Sequence, residues 1–312
     1  VPITAATLAG QLSGGSDVFL TKLNPDGAAF AYSTRLGGTA ADVATAVALD
    51  SQGRPYVAGY TRSTDFPVTA GAFQPRHADN GLFEDAFVSM FTSGGVELVR
   101  STYLGGSQGD RANAIAVESE GVVYLTGHTS SPDFPVTPAL CQTGYAGRRD
   151  AFFSRLDLTR SELRASLFLG GREDDEGRAV APGTAGIALL AGQTRSSNFA
   201  TTQGAFRTAY RRGYRGGSDA FITRVDSGAT AQPPCVAIGG IVSAATLLPG
   251  PVAPGQIVSI FGAGLGPQSP AVFVLDQSLV LAKELAGVRV LFDGVTAPVL
   301  GAFTGQVNTI VP

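Results

Sequence analysis

Lysine, histidine, cysteine, methionine and tryptophan are all scarce in this chain. Of its 312 residues two are Cys, two are His, one is Met and none is Trp, and Lys22 and Lys283 are its only lysines. Two cysteines, Cys141 and Cys235, are too few for a disulfide framework or a Cys-ligated zinc site, and the sequence leaves their pairing open. His77 and His128 give a His-based metal centre or a His-dependent triad little material. Charge is thin as well: 15% of residues are charged and the net charge is −3, so there is no general electrostatic reason to bind nucleic acid. Low charge beside 44% hydrophobic residues excludes a disordered chain. Long apolar runs are also missing. The uncharged stretch from Ala229 to Leu275 is broken by Pro233, Pro234, Pro249, Pro251 and Pro254, and what remains is short of the roughly 20 residues a spanning helix needs. Val1 does not open a signal peptide, because no basic segment leads into an apolar one.

What the chain has is glycine and repetition. Asp17-Val18-Phe19, Asp85-Ala86-Phe87, Asp150-Ala151-Phe152 and Asp219-Ala220-Phe221 open four units spaced 68, 65 and 69 residues apart. Leu36-Gly37-Gly38, Leu104-Gly105-Gly106, Leu169-Gly170-Gly171 and Ile238-Gly239-Gly240 each begin 19 residues after the opening Asp. Such self-similarity marks stacked supersecondary units.

Each unit reads as four short strands. In the second, Ala112–Val117 and Val122–Thr126 flank Glu118-Ser119-Glu120-Gly121, with Gly where a hairpin turn wants positive φ. Ala151–Leu156 and Glu162–Leu167 supply the third and fourth strands. Phe87 and Val88, or Phe152 and Phe153, put apolar residues on both faces of the third strand, so the sheet is covered on both sides. Four-stranded antiparallel sheets stacked face to face give a β-propeller. The expected blades lie near residues 44–104, 112–169 and 178–238, after a half blade at Asp17–Leu36. That makes about three and a half blades, and further blades are expected upstream of Val1 because a propeller needs at least about four to close. The third blade's fourth strand is expected at Pro234–Ile238, by its spacing to Ile238-Gly239-Gly240.

The boxes DAF, STYLGG, (A/N)AIAVxSxG and SxDFPVT, recurring in order from Val1 to Gly240, resemble the SBBP-type β-propeller repeat of bacterial extracellular proteins. The third copy departs, with Asn198-Phe199-Ala200-Thr201 in place of Asp-Phe-Pro-Val. The resemblance implies an exported or surface-associated propeller in a family whose members mostly lack an assigned activity. From 241 to 312 the pattern changes to PVAPGxIVxIFGxxLGP, LAGVxVxFDGVxAPV and GQVNxxVP. This stretch is similar to the immunoglobulin-like, TIG-like sandwich of exported bacterial proteins, here expected to be C-terminally truncated.

Candidate chemistry is sparse. Gly105-Gly106-Ser107-Gln108-Gly109 has the G-x-S-x-G spelling, but a nucleophile elbow needs a strand-to-helix turn and strands flank it on both sides. The recurring aspartates, Asp42, Asp110 and Asp175 after each LGG and Asp17, Asp85, Asp150 and Asp219 before each third strand, point to a structural job in turns. An active site in a ring of repeats should break the repetition. Glu173-Asp174-Asp175-Glu176 does so and could hold Ca²⁺ through oxygen ligands, although it lacks the spacing and Gly of a dedicated calcium loop. Arg207, Tyr210, Arg211, Arg212, Tyr214 and Arg215 also break it, in the third of the long connections; the others are Arg62–Glu84 and Ser130–Arg149. Connections this long are often functional, and Arg forks beside aromatic faces suit acidic glycans or carboxylated partners.

The expected function is therefore a non-enzymatic binding scaffold outside the cell or on its surface, engaging a polysaccharide or protein through the rim of long loops. The alternative is a propeller-type hydrolase or lyase in which loop carboxylates such as Asp174 and Glu176 act either as ligands to a metal, with Ca²⁺ the candidate, or as an acid/base pair.

Overall fold

The computed structural model describes residues 14–137, 144–184, 186–202, 205–207, 210, 217–227, 235–245, 253–263, 265–273, 275, 280–292 and 295–312, with backbone alone at 235–242 and 262–263. Every regular element among them is a β-strand, and no helix is long and apolar enough to cross a membrane. The chain divides into two compact units, Val1–Thr137 with Tyr145–Gly228, and Pro138–Gly144 with Ala229–Pro312.

The first unit is a series of antiparallel sheets. A hairpin of β1 (Val18–Leu23) and β2 (Phe30–Leu36) comes first. The four-stranded sheet β3 (Asp42–Leu49), β4 (Pro55–Thr61), β5 (Asp85–Phe91) and β6 (Leu98–Leu104) follows in chain order. A second repeats it with β7 (Asp110–Ser119), β8 (Val122–Thr129), β9 (Asp150–Asp157) and β10 (Glu162–Leu169). A three-stranded sheet of β11 (Asp175–Pro182), β12 (Ile187–Thr194) and β13 (Asp219–Asp226) ends the unit. The first two strands of each sheet are joined by tight turns. Between β3 and β4, Asp50 Oδ1 accepts the amides of Gln52 and Arg54 at 2.9 and 3.0 Å, and Gly53 takes φ +73°, where a Cβ would be strained.

These sheets are propeller blades packed face to face. Strand alternation sends Phe87 toward the preceding hairpin, with Val18, Leu36, Val57 and Phe91. It sends Val88 and Met90 toward the following sheet, with Ile115, Val123, Leu125 and Phe152. The DFPV box closes each core. Phe66, Phe134 and Phe199 pack on the third-strand phenylalanines Phe87, Phe152 and Phe221 at centroid distances of 4.5, 4.7 and 4.7 Å, the first two pairs tilted and the third stacked. Box and strand keep this contact even where Asn198-Phe199-Ala200 replaces Asp-Phe-Pro.

Each first strand carries a bulge, at Thr45, Asn113 and Arg178. The extra residue re-aims its side chain. Thr45 Oγ1 donates to the Ala112 carbonyl at 2.6 Å, and Asn113 Nδ2 to the Gly177 carbonyl at 2.9 Å, so first strand is tied to first strand.

The second unit corrects one expectation. The strand expected to complete the third blade is β14 (Cys235–Ser243), and it pairs with β15 (Ile257–Ala263) instead. Ala244 stands where an Asp follows the other LGG boxes, so the contact that ties a fourth strand to the next blade has no acceptor here. A boundary after Gly240 would cut through this strand; the longer segment of the second unit begins at Ala229. Strands β16 (Ala271–Val272), β17 (Val290–Phe292), β18 (Val295–Ala297), β19 (Val299–Phe303) and β20 (Gln306–Ile310) complete it. Its sheet has the order β14-β15-β20-β19-β16, with β17 and β18 as a separate hairpin, over a core of Val258, Ile260, Leu285, Val299 and Val307.

Candidate functional site

Antiparallel register places Asp42, Thr61 and Asp85 side by side across β3, β4 and β5, and Asp110, Thr129 and Asp150 across β7, β8 and β9. The start of strand one, the end of strand two and the start of strand three therefore share one end of every sheet. Two kinds of residue meet there.

The first kind repeats and forms a clamp. The amides of Gly38, Gly106 and Gly171 donate to Oδ2 of Asp42, Asp110 and Asp175 at 2.7, 2.6 and 2.7 Å. The same oxygens accept the hydroxyls of Ser63, Ser131 and Ser196 at 3.0, 2.8 and 2.7 Å. Sheet is also bonded to sheet through the backbone, from the amides of Asp42, Asp110 and Asp175 to the carbonyls of Ser16, Glu84 and Arg149. The recurring aspartates thus have the structural job that their recurrence implies.

The second kind differs from sheet to sheet. Arg111, second residue of β7, lies 4.3 Å over the ring of Tyr60 on the preceding sheet and donates to Glu84 at 2.6 Å, while Arg62 reaches the same carboxylate at 3.3 Å. Burial alone would raise the Glu84 pKa, but the bond and charge of Arg111 outweigh it and the net shift is downward. Glu176, second residue of β11, accepts Asn113 at 2.9 Å and Gln193 at 3.0 Å, pairs with Arg178 at 2.8 Å and lies 3.3 Å from His128 Nδ1. The His128 imidazole beside it is the main reason its carboxyl is held down at about 2. Arg149 and Arg195 stand 3.7 and 3.8 Å from Asp174.

Residues 31–67 match the family model of the SBBP β-propeller repeat. No curated protein matches the chain. The matched segment starts in β2 of one blade and ends beyond β4 of the next, so the SBBP repeat spans a blade junction and holds a complete clamp.

The four carboxylates of the acidic turn do not converge on a shared point. Glu173 is exposed, Asp174 faces two arginines, Asp175 belongs to the clamp and Glu176 pairs with His128. Among the described residues no group of three or more His, Cys, Asp or Glu could hold a metal ion. Ser107 gives its hydroxyl to Asp133 at 2.8 Å, and its amide goes to the same oxygen. Of the Arg/Tyr cluster, Arg207 is exposed and the Tyr210 hydroxyl donates to the Gly217 carbonyl at 2.5 Å. Arg211, Arg212, Tyr214 and Arg215 lie outside the described residues, as does Cys141.

The long connections have a first duty that their length alone did not reveal. Thr69 and Gln74 bond along β6, from the Thr69 amide to the Ser101 carbonyl at 3.1 Å and from the Gln74 amide to Thr102 Oγ1 at 2.8 Å. The Thr137 amide bonds the Ser166 carbonyl of β10 at 2.9 Å in the same way. They cover the outer edges of the β3–β6 and β7–β10 sheets, where an unpaired strand would otherwise invite another chain. Arg111, Glu84 and Asn113 went unnoticed in the sequence. The available signal was the residue after each strand-one Asp, which runs Val43, Arg111, Glu176 and so escapes the repeat.

Proposed function

We propose that the propeller unit is a non-enzymatic scaffold that binds an anionic polysaccharide at the end of the blades where the first strands begin. One observation carries this reading. In the ion pairs there, the guanidinium is more exposed than its carboxylate: Arg62 and Arg111 at 49% and 38% over Glu84 at 13%, Arg178 at 57% over Glu176 at 11%. Arg195 and Arg149, at 54% and 38%, likewise stand out over Asp174 at 31%. The carboxylates lie beneath and orient planar donors that retain free N–H groups for carboxylate or sulfate oxygens. We place the protein outside the cytoplasm on its likeness to the SBBP repeat. We read its second unit as an immunoglobulin-like module on the PVAPG, FDG and GQVN boxes.

Binding of polygalacturonate and of neutral dextran to the full chain tests the proposal. Polygalacturonate should bind and weaken with added salt, and Arg111→Ala/Arg195→Ala should cost about tenfold or more in affinity. Equal binding of dextran, or a double variant indistinguishable from wild type, overturns it.

A further inference from the structure

Aspartates of neighbouring blades meet over Gly37 and Gly105, the first glycines of two LGG boxes. A Cβ on Gly105 would stand 2.6 Å from Asp85 Oδ1 and 2.9 Å from Asp110 Oδ2. On Gly37 it would meet the equivalent atoms of Asp17 and Asp42 at 2.8 and 2.7 Å, and on Gly170 it would meet Asp150 Oδ1 at 2.5 Å. Asp85, Asp110, Asp150 and Asp175 are all 0% exposed. Among the described residues no guanidinium or ammonium pairs with any of the four.

The two members of a junction differ in which oxygen faces the glycine. Oδ2 of Asp110 and of Asp175 takes an amide and a hydroxyl, the donors that suit an anion. Asp85 Oδ2 takes the Ala78 amide at 2.8 Å and Gln74 Nε2 at 3.1 Å, and Asp150 Oδ2 takes the Ala146 amide at 2.9 Å. Oδ1 of all four aspartates is buried without a hydrogen-bond partner among the described residues, and on Asp85 and Asp150 it is the oxygen that faces the glycine. A buried carboxylate oxygen without a donor costs more than a hydroxyl that can donate across the gap.

We propose that Asp85 and Asp150 each hold a proton on Oδ1 at neutral pH and share it with Oδ2 of Asp110 and Asp175, so that each blade junction is a buried proton-binding site. The proton comes from water and returns to it; no other bond changes. The groups facing these carboxyls agree. Asp79 and Asp133 raise Asp85 further, Tyr103 of β6 lies near it, and His77 Nδ1 stands 3.7 Å from its Oδ2. Asp150 faces Asp175, with Tyr145 and, beyond it, Asp174 and Arg149. His77 belongs to the Asp85 junction, and the only other histidine, His128, is engaged with Glu176, so the Asp150 junction has no imidazole to serve as counter-ion. Burial pushes Asp85, Asp110 and Asp150 up to about 7, with Asp79 and Asp133 adding to it at Asp85, Asp85 at Asp110 and Asp175 at Asp150.

A carboxyl raised on folding contributes stability that is complete below its ordinary pKa and is lost as pH rises through the folded value. The melting temperature of the full chain should therefore fall by about 5 °C or more between about pH 5.5 and about pH 8.5. Asp85→Asn/Asp150→Asn puts a fixed N–H donor in place of the proton and should flatten that fall. A flat wild-type profile, or an unchanged slope in the variant, overturns the proposal. Should the variant not fold, infrared spectra of the wild type decide. A protonated-carboxyl C=O band near neutral pH that vanishes by about pH 9 supports shared protons, and its absence near neutral pH refutes them.

Discussion

Ser107 donates both its amide and its hydroxyl to one oxygen of Asp133, at 2.9 and 2.8 Å. Thr39 makes the same two bonds to Asp65, at 2.8 and 3.0 Å. The amide of Ser107 above all, with its hydroxyl adding to it, holds Asp133 below the usual carboxylate range. Asp133→Ala should lower stability by about 1–2 kcal/mol in urea titration, and Ser107→Ala by less, since its amide donor survives. Ser107→Ala should leave polysaccharide binding unchanged.

Gly105 and Gly94 offer a paired test of close approach. A methyl on Gly105 enters the space of two buried carboxyls, whereas on Gly94 its nearest neighbour is Val96 Cγ2 at 3.9 Å. Gly105→Ala should cost about 2–3 kcal/mol, and Gly94→Ala should lie within about 0.5 kcal/mol of wild type.

Phe134 is 2% exposed and packs on Phe152 and Phe168 at centroid distances of 4.7 and 6.3 Å. Phe134→Ala should cost about 3–5 kcal/mol by chemical denaturation. A much smaller cost would mean that the DFPV box lies on the blade without sealing it.

Acid stability should depend on Glu176 and Asp157. His128, followed by Arg178 and Asn113, holds Glu176 at about 2. Asp157 also sits at about 2, because bonds from Thr159 and Arg160 and the charge of Arg164 outweigh a burial that by itself would raise it. Carboxyls lowered in this way contribute stability that is present above their ordinary pKa and lost as pH falls toward 2. Glu176→Gln should lower stability at neutral pH by about 2 kcal/mol and make acid unfolding shallower, as followed by tyrosine fluorescence.

The blades were legible because their signals are local. Period-two alternation and a left-handed glycine specify a hairpin whatever surrounds it, and Ala112–Val117 fell inside the observed Asp110–Ser119. The aspartates were recognisable as structural from recurrence, but not as pairs across a junction, because Asp85 and Asp110 belong to different blades. Ile238-Gly239-Gly240 misled for the opposite reason: the spacing was kept while Ala244 had replaced the acceptor. At the candidate site Glu176 was singled out for its acidic neighbours, whereas its actual partners are His128, Asn113 and Gln193. Those contacts depend on a bulge and on stacking between sheets, neither of which leaves a mark in one stretch of sequence.

The matched segment, 31–67, contains Gly38, Thr39, Asp42, Ser63 and Asp65 together. The clamp's donors and acceptors thus fall within a single block, while the Ser16 carbonyl that takes the Asp42 amide lies before it. A duplication or deletion cut at those bounds would lengthen or shorten the array by whole modules while each surviving clamp kept its side-chain bonds. Only the backbone bond at the seam would need a new carbonyl, which every residue supplies whatever its side chain.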